Sequence, residues 1–142
     1  IAQAAMKKKL IAGNWKMNGG LQANEALVRA IVAGLSAHAA SCDAAVCVPA
    51  PYLAQVQALS QGSALALGAQ DVSEHAQGAY TGEVSARMLR DFGACYAIVG
   101  HSERRQYHGE SDALVSHKAR AALEESLGVL AEATDEAVAA LK

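Results

Sequence analysis

A parallel, barrel-like α/β fold of four to five βα units is the class this sequence predicts, and three observations predict it. Short runs of small and apolar residues, such as Ala94-Cys95-Tyr96-Ala97-Ile98-Val99, lack the alternation of a half-exposed strand and read as strands covered on both faces. Between them lie segments whose apolar residues recur every three or four positions, the spacing of a helix with one buried face. The 142 residues, 52% apolar and 18% charged, suffice for the core of one ordinary domain. An eight-unit barrel takes about 250 residues, so about half of one fits. No repeat or linker divides the chain, and residues 1–142 read as a single domain.

The elements follow in order. Leu10-Ile11-Ala12-Gly13 is a short first strand, and Asn14-Trp15-Lys16-Met17-Asn18-Gly19-Gly20 is the polar, glycine-bearing loop after it. Leu21 to His38 carries Leu27, Val28, Ile31, Val32 and Leu35 on one helical face, with His38 placed to offset the dipole at its C-terminus. Ala44-Ala45-Val46-Cys47-Val48 is the second strand, and Pro51 can open a helix over Tyr52 to Leu59. Ala64 to Gln70 is the third strand; a long loop, Asp71 to Gly82, precedes a helix over Glu83 to Arg90, and loops of that length usually have a function. The fourth strand stops at Gly100, and Ser102-Glu103 has the order that opens a helical turn. A helix over Ser111 to Ser126 follows, with Ala113, Leu114, Ala121, Ala122 and Leu123 available for packing, then a fifth strand near Val129 to Ala131. Residues 132–142 are alanine-rich, with Thr134 as an N-cap, and read as a short atypical helical tail. Residues 1–5 read as a leader remnant ahead of Met6.

Composition excludes several functions. A net charge of −2 without a basic cluster argues against nucleic acid. No uncharged apolar run of about 18 residues is present to span a membrane. Cys42, Cys47 and Cys95 form no C-x-x-C pair, Cys47 and Cys95 fall within apolar strand segments, and three free thiols suit a reducing cytoplasm. His108 and His117 have no metal-ligand spacing with each other or with His101, so no metal or cofactor is assigned.

Chemistry is suggested where strands end. His101 directly follows the fourth strand, at the start of a helical turn whose free N–H groups, with Arg104 and Arg105, disfavour an imidazolium. Lys16, just past the first strand, is a compact cation suited to phosphate, and Asn14 can hold it and donate to a substrate oxygen.

Three motifs carry a family likeness. Ile98-Val99-Gly100-His101-Ser102-Glu103-Arg104-Arg105 resembles the signature around the electrophilic histidine of triosephosphate isomerases. Ala12-Gly13-Asn14-Trp15-Lys16-Met17-Asn18 resembles their first strand and loop, and Gly68-Ala69-Gln70-Asp71 with Gly78-Ala79-Tyr80-Thr81-Gly82-Glu83 resembles their third strand and dimer loop. The resemblance covers about Lys7 to Ala131 and implies a partial (β/α)8 TIM barrel. It implies interconversion of dihydroxyacetone phosphate and glyceraldehyde 3-phosphate, without a cofactor. His101 and Lys16 would be catalytic, Asn14 and Lys16 would bind substrate, and Ser102 and Glu103 would support them from behind. Gln70, Tyr80, Thr81, Gly82, Glu83 and Arg104 would form the dimer contact, with Glu83 approaching Arg104 of a twin subunit. The family's catalytic glutamate, in a motif like Tyr-Glu-Pro-Val-Trp, has no counterpart in these 142 residues, so the chain alone is expected to be nearly inactive. A non-catalytic half-barrel that associates through its sheet edges or binds a partner stands as the alternative.

Overall fold

The computed structural model describes residues 8–38 and 41–131, and its sheet follows from the apolar runs. Five strands, β1 (Lys9–Asn14), β2 (Cys42–Val48), β3 (Leu65–Ala69), β4 (Tyr96–Val99) and β5 (Gly128–Ala131), pair in parallel in chain order. Ala12 pairs with Ala45, Val46 with Leu67, Ala69 with Ala97 and Ile98 with Leu130. The crossovers are carried by α1 (Leu21–Leu35), α2 (Leu53–Ser60), α3 (Ala86–Asp91) and the consecutive pair α4 (Ser102–His108) and α5 (Asp112–Glu124). This is the half-barrel of parallel βα units that the sequence predicts, its fifth strand included.

The core lies where the strands are apolar on both faces. Val46, Val48, Leu67, Ala69, Ala97 and Val99 are buried, with Val28 of α1, Leu53 and Val56 of α2, Leu89 of α3 and Val115 and Ala119 of α5 against them. Edge strand β1 differs: Ile11 is 62% exposed, because a first strand has a neighbour on one side only.

Several boundaries differ from the sequence reading. The first helix ends at Leu35, three residues early, and His38 lies in the following turn with its N–H on the Leu35 carbonyl. Pro51 opens a 3-10 turn, Ala50–Tyr52, before α2. The third helix begins at Ala86 instead of Glu83 because the Ser85 hydroxyl caps it, accepting from the Met88 N–H, while Val84 stays in the loop with its carbonyl on the Ser73 N–H. Helix α5 buries Val115, Lys118, Ala119 and Ala122, leaving Ala113 and Leu123 exposed; Lys118 occupies a core-facing position that an apolar pattern scores as solvent. Cys47 is buried in β2, where burial pushes its thiol up to about 11, whereas Cys95 is exposed and precedes β4. The readings of residues 1–5 and 132–142 lie outside the described residues.

Candidate active site

Parallel pairing places the carboxyl ends of β1, β2, β3 and β4 side by side, so the residues that follow them share one rim. A cleft of about 530 Å³ opens there, lined among others by Asn14, Lys16, Gln70, His101, Glu103 and Arg104.

Lys16 has a left-handed backbone, with φ 54°, which costs about 1 kcal/mol or more for a residue with a side chain and must be held by its neighbours. Its N–H donates to Asn14 Oδ1 at 2.8 Å and its carbonyl accepts from Gln70 Nε2 at 2.8 Å. Gln70 Nε2 also lies 3.1 Å from the Cys47 carbonyl and 3.4 Å from Asn14 Oδ1, so one amide from β3's end ties together the ends of β1 and β2. Glycine makes this approach possible: a Cβ on Gly68 would meet Cys47 Sγ at 2.6 Å. A second network sets the far side of the loop. Buried Asn24 accepts from the Gly20 N–H and donates to Gln55, and Gln55 donates to the Leu21 carbonyl.

His101 itself, and not Ser102, caps α4. Its Nδ1 accepts from the Glu103 N–H at 3.1 Å, which requires that nitrogen to be unprotonated and leaves Nε2 as the ring's donor. Gly100 makes the bend before it, with φ 64° and Val115 Cγ1 only 2.7 Å from where a Cβ would stand. Lys16 Nζ donates to Glu103 Oε1 at 2.6 Å, which links the β1 loop to the β4 loop. Asn14, Lys16, Gln70, His101 and Glu103 thus meet on one rim.

Behind the cleft lies a charge cluster that sequence reasoning missed. Glu110, 6% exposed, accepts on Oε2 from Arg104 Nε and from Lys118 Nζ, each at 2.7 Å. Lys118, 4% exposed, also donates to Asp71 Oδ1 at 2.8 Å, and Arg104 Nη2 lies 3.2 Å from Asp71 Oδ2. For Glu110, burial would raise the pKa, but the hydrogen bonds and charges of Lys118 and Arg104 outweigh it and hold the carboxyl below its ordinary range. For Arg104, burial acts downward and is outweighed by the Glu110 hydrogen bond and the charges of Asp71, Glu110 and Glu83, so its pKa is raised. Arg104 is therefore engaged within its own chain. Of the loop residues, Gly82 and Glu83 line the cleft, and Tyr80 and Thr81 are exposed.

The triosephosphate isomerase family model matches residues 9–136. The chain belongs to the triosephosphate isomerase family. It is 67% identical over 118 residues to a triosephosphate isomerase of Paracidovorax citrulli, covering 82% of this chain and 47% of that protein. With one from Albidiferax ferrireducens the identity is 64%, covering 83% of this chain and 47% of that protein. The chain spans about half the length of the curated relatives it matches. The crystal structure of triosephosphate isomerase from Bartonella henselae superposes with a TM-score of 0.82 at 41% identity, covering 88% of this chain and 51% of that one. The five sequential parallel strands are accordingly part of a TIM barrel, and the cleft lies on its carboxyl-end rim.

Proposed function

We propose that this chain carries the electrophilic and anion-binding side of a triosephosphate isomerase active site, in a protein that interconverts dihydroxyacetone phosphate and glyceraldehyde 3-phosphate. The observation that carries the reading is the meeting of Lys16 Nζ and His101 on one cleft, with Nδ1 of His101 occupied by the Glu103 N–H. Proton removal next to a carbonyl builds charge on the carbonyl oxygen, and a fixed donor aimed there lowers the barrier. A neutral imidazole donating from Nε2 performs this task, a division of labour for which triosephosphate isomerase is itself a standard worked case. Lys16 offsets the phosphate and the developing enediolate, Asn14 positions it and binds substrate, and Ser102 and Glu103 hold His101 and Lys16 from behind. The proton-removing glutamate belongs, by the family resemblance, to a later segment of the fold.

The same reading takes Gln70, Tyr80, Thr81, Gly82, Glu83 and Arg104 as the contact with a twin subunit, with open sheet edges as a further route to association. Residues 1–142 form one partial-barrel domain in this account, in a cytoplasmic glycolytic and gluconeogenic enzyme. The test is complementation. The 142-residue polypeptide, verified by mass, should show almost no isomerase activity alone, and a polypeptide carrying the family's later half should restore turnover. His101→Gln should remove most of that gain, about 10²-fold or more for loss of an oxyanion donor. Isomerase activity near family levels from the 142 residues alone, or full restoration with the His101 variant, would overturn the assignment.

A further inference from the structure

The strain at Lys16 needs a hold on both sides of the residue. Its φ of 54° is left-handed, its side chain is half exposed, and the next residue, Met17, is 95% exposed. Such a backbone persists only where the surroundings over-determine it. On the near side Asn14 and Gln70 hold the Lys16 N–H and carbonyl. On the far side the loop ends in a buried chain of amides that touches neither Lys16 nor His101. The Gly20 N–H donates to Asn24 Oδ1 at 3.1 Å, Asn24 Nδ2 to Gln55 Oε1 at 3.0 Å, and Gln55 Nε2 to the Leu21 carbonyl at 2.7 Å. A backbone N–H at one end can only donate and a carbonyl at the other can only accept, so both side-chain amides have a single orientation. Gly19 completes the seat: its φ is 138°, and a Cβ there would stand 2.7 Å from the Tyr52 ring and 2.8 Å from Asn24 Oδ1. Asn18 Nδ2 donates to the Trp15 carbonyl at 2.9 Å, which ties the two sides of the loop together.

We propose that Asn24 is a positioning residue for Lys16, acting through Gly20 and braced by Gln55 of α2. The proposal rests on the reading of Lys16 as the cation that meets the substrate's charge. Asn24 is 2% exposed, on the face of α1 that Val28 continues into the core. An aliphatic residue would serve that face better, because asparagine is a poor helix former and a buried amide is costly unless its polar atoms are paired. What the amide supplies is a fixed end for the loop. With Gly20 held, Lys16 cannot turn toward negative φ without breaking its bonds to Asn14 and Gln70 or pulling Gly20 from Asn24. With Gly20 released, the strain relaxes by swinging Met17 to Gly20 outward, and Lys16 Nζ leaves Glu103 Oε1, 2.6 Å away.

The test reads the lysine itself and not turnover, so its failure is separate from failure of the isomerase assignment. The purified protein is labelled sparingly with a water-soluble amine-acylating ester at one fixed pH, and the rate at each lysine is read by mass spectrometry. An ammonium that donates to a carboxylate must let go before its nitrogen can attack, so labelling of Lys16 reports loss of the Glu103 contact. Asn24→Leu, which removes both amide bonds, should speed Lys16 labelling about two- to tenfold, the equivalent of one net hydrogen bond. Labelling of buried Lys118 and amide exchange of β2 and β3 should stay at parent values. Asn24→Asp keeps the acceptor for Gly20, lets Gln55 turn its amide to donate to the carboxylate, and should return Lys16 close to the parent rate. Gln55→Leu removes the brace from the other end, leaves Asn24 in place, and should give a smaller rise of the same kind; it decides the matter if Asn24→Leu does not fold. Parent-like labelling of Lys16 in both leucine variants, a rise shared equally by Lys118 and the strands, or an aspartate variant as fast as the leucine one overturns the proposal.

Discussion

Two glycines with the same backbone angle and different surroundings allow the strain at the His101 bend to be separated into its parts. Gly100 and Gly109 both have φ 64°, so an alanine at either meets the same left-handed penalty, about 1 kcal/mol. At Gly109 no atom of the described residues lies within 4 Å of the added Cβ, and the backbone term is the cost that remains. At Gly100 the Cβ would stand 2.7 and 2.9 Å from the two methyl carbons of Val115, which is itself 4% exposed and has no room to withdraw. Overpacking of that kind adds about 1–3 kcal/mol. Gly100→Ala should therefore lose about 2–4 kcal/mol of unfolding free energy and Gly109→Ala about 1, measured by urea denaturation at equal slope. Adding Val115→Ala to Gly100→Ala should recover the steric part only, leaving the double variant worse than Val115→Ala by about the Gly109 value. If Gly100→Ala costs no more than Gly109→Ala, the tight packing of the bend against α5 is wrong, and with it the account of how His101 is held.

The other outcomes concern buried groups. Lys118→Met leaves Glu110 with Arg104 and Asp71 without its closest cation, and should lose about 3 kcal/mol, the low end for breaking a buried pair because Arg104 remains. Because Glu110 is held below its reference value of 4.5, its ionised form favours the folded state: this contribution is fully present above about pH 4.5 and is lost as pH falls through the folded value. A stability profile from pH 7 to 3 should thus fall less steeply in Glu110→Gln than in the parent, and an equal slope in both would remove Glu110 from the acid response. In thiol labelling of the native protein, exposed Cys95 should react and buried Cys47, its thiol pushed up to about 11, should react only on unfolding; rapid native labelling of Cys47 would contradict its burial.

Strands were the most legible elements, because an apolar run such as Ala44 to Val48 has no amphipathic competitor and parallel pairing follows once helices separate the runs. Asn14, Lys16 and His101 were legible for a related reason: a polar residue directly after such a run must lie at the strand's carboxyl end. What escaped was set by partners distant in sequence. A lysine within a helix reads as solvated, and only the fold brings Lys118 to Asp71, 47 positions away. The His101 cap escaped because serine is the better capping residue by propensity, and the ring took the place only through the bend at Gly100. Glu83 favours helix, yet Ser85 fixed the start of α3 further on. The likeness of three short motifs added what pattern alone lacked, a reason to connect Lys16 with His101.

The order of the strands also bears on how the chain reaches its fold. Lys9 pairs with Cys42, Ala44 with Leu65, Gly68 with Tyr96 and Tyr96 with Gly128, separations of 33, 21, 28 and 32 positions. Closing the longest of these loops instead of the shortest differs by only about 0.4 kcal/mol of chain entropy, so no pairing is much harder than another. Each strand needs only the one before it, and a chain emerging from a ribosome can add units as they appear, without waiting for a distant partner. Contact between Lys16 and Glu103, 87 positions apart, is then reached through three short closures and never has to be found directly. The rim that carries the cleft is assembled by the same succession of local steps, which keeps the search for its geometry short despite the distance its residues span in sequence.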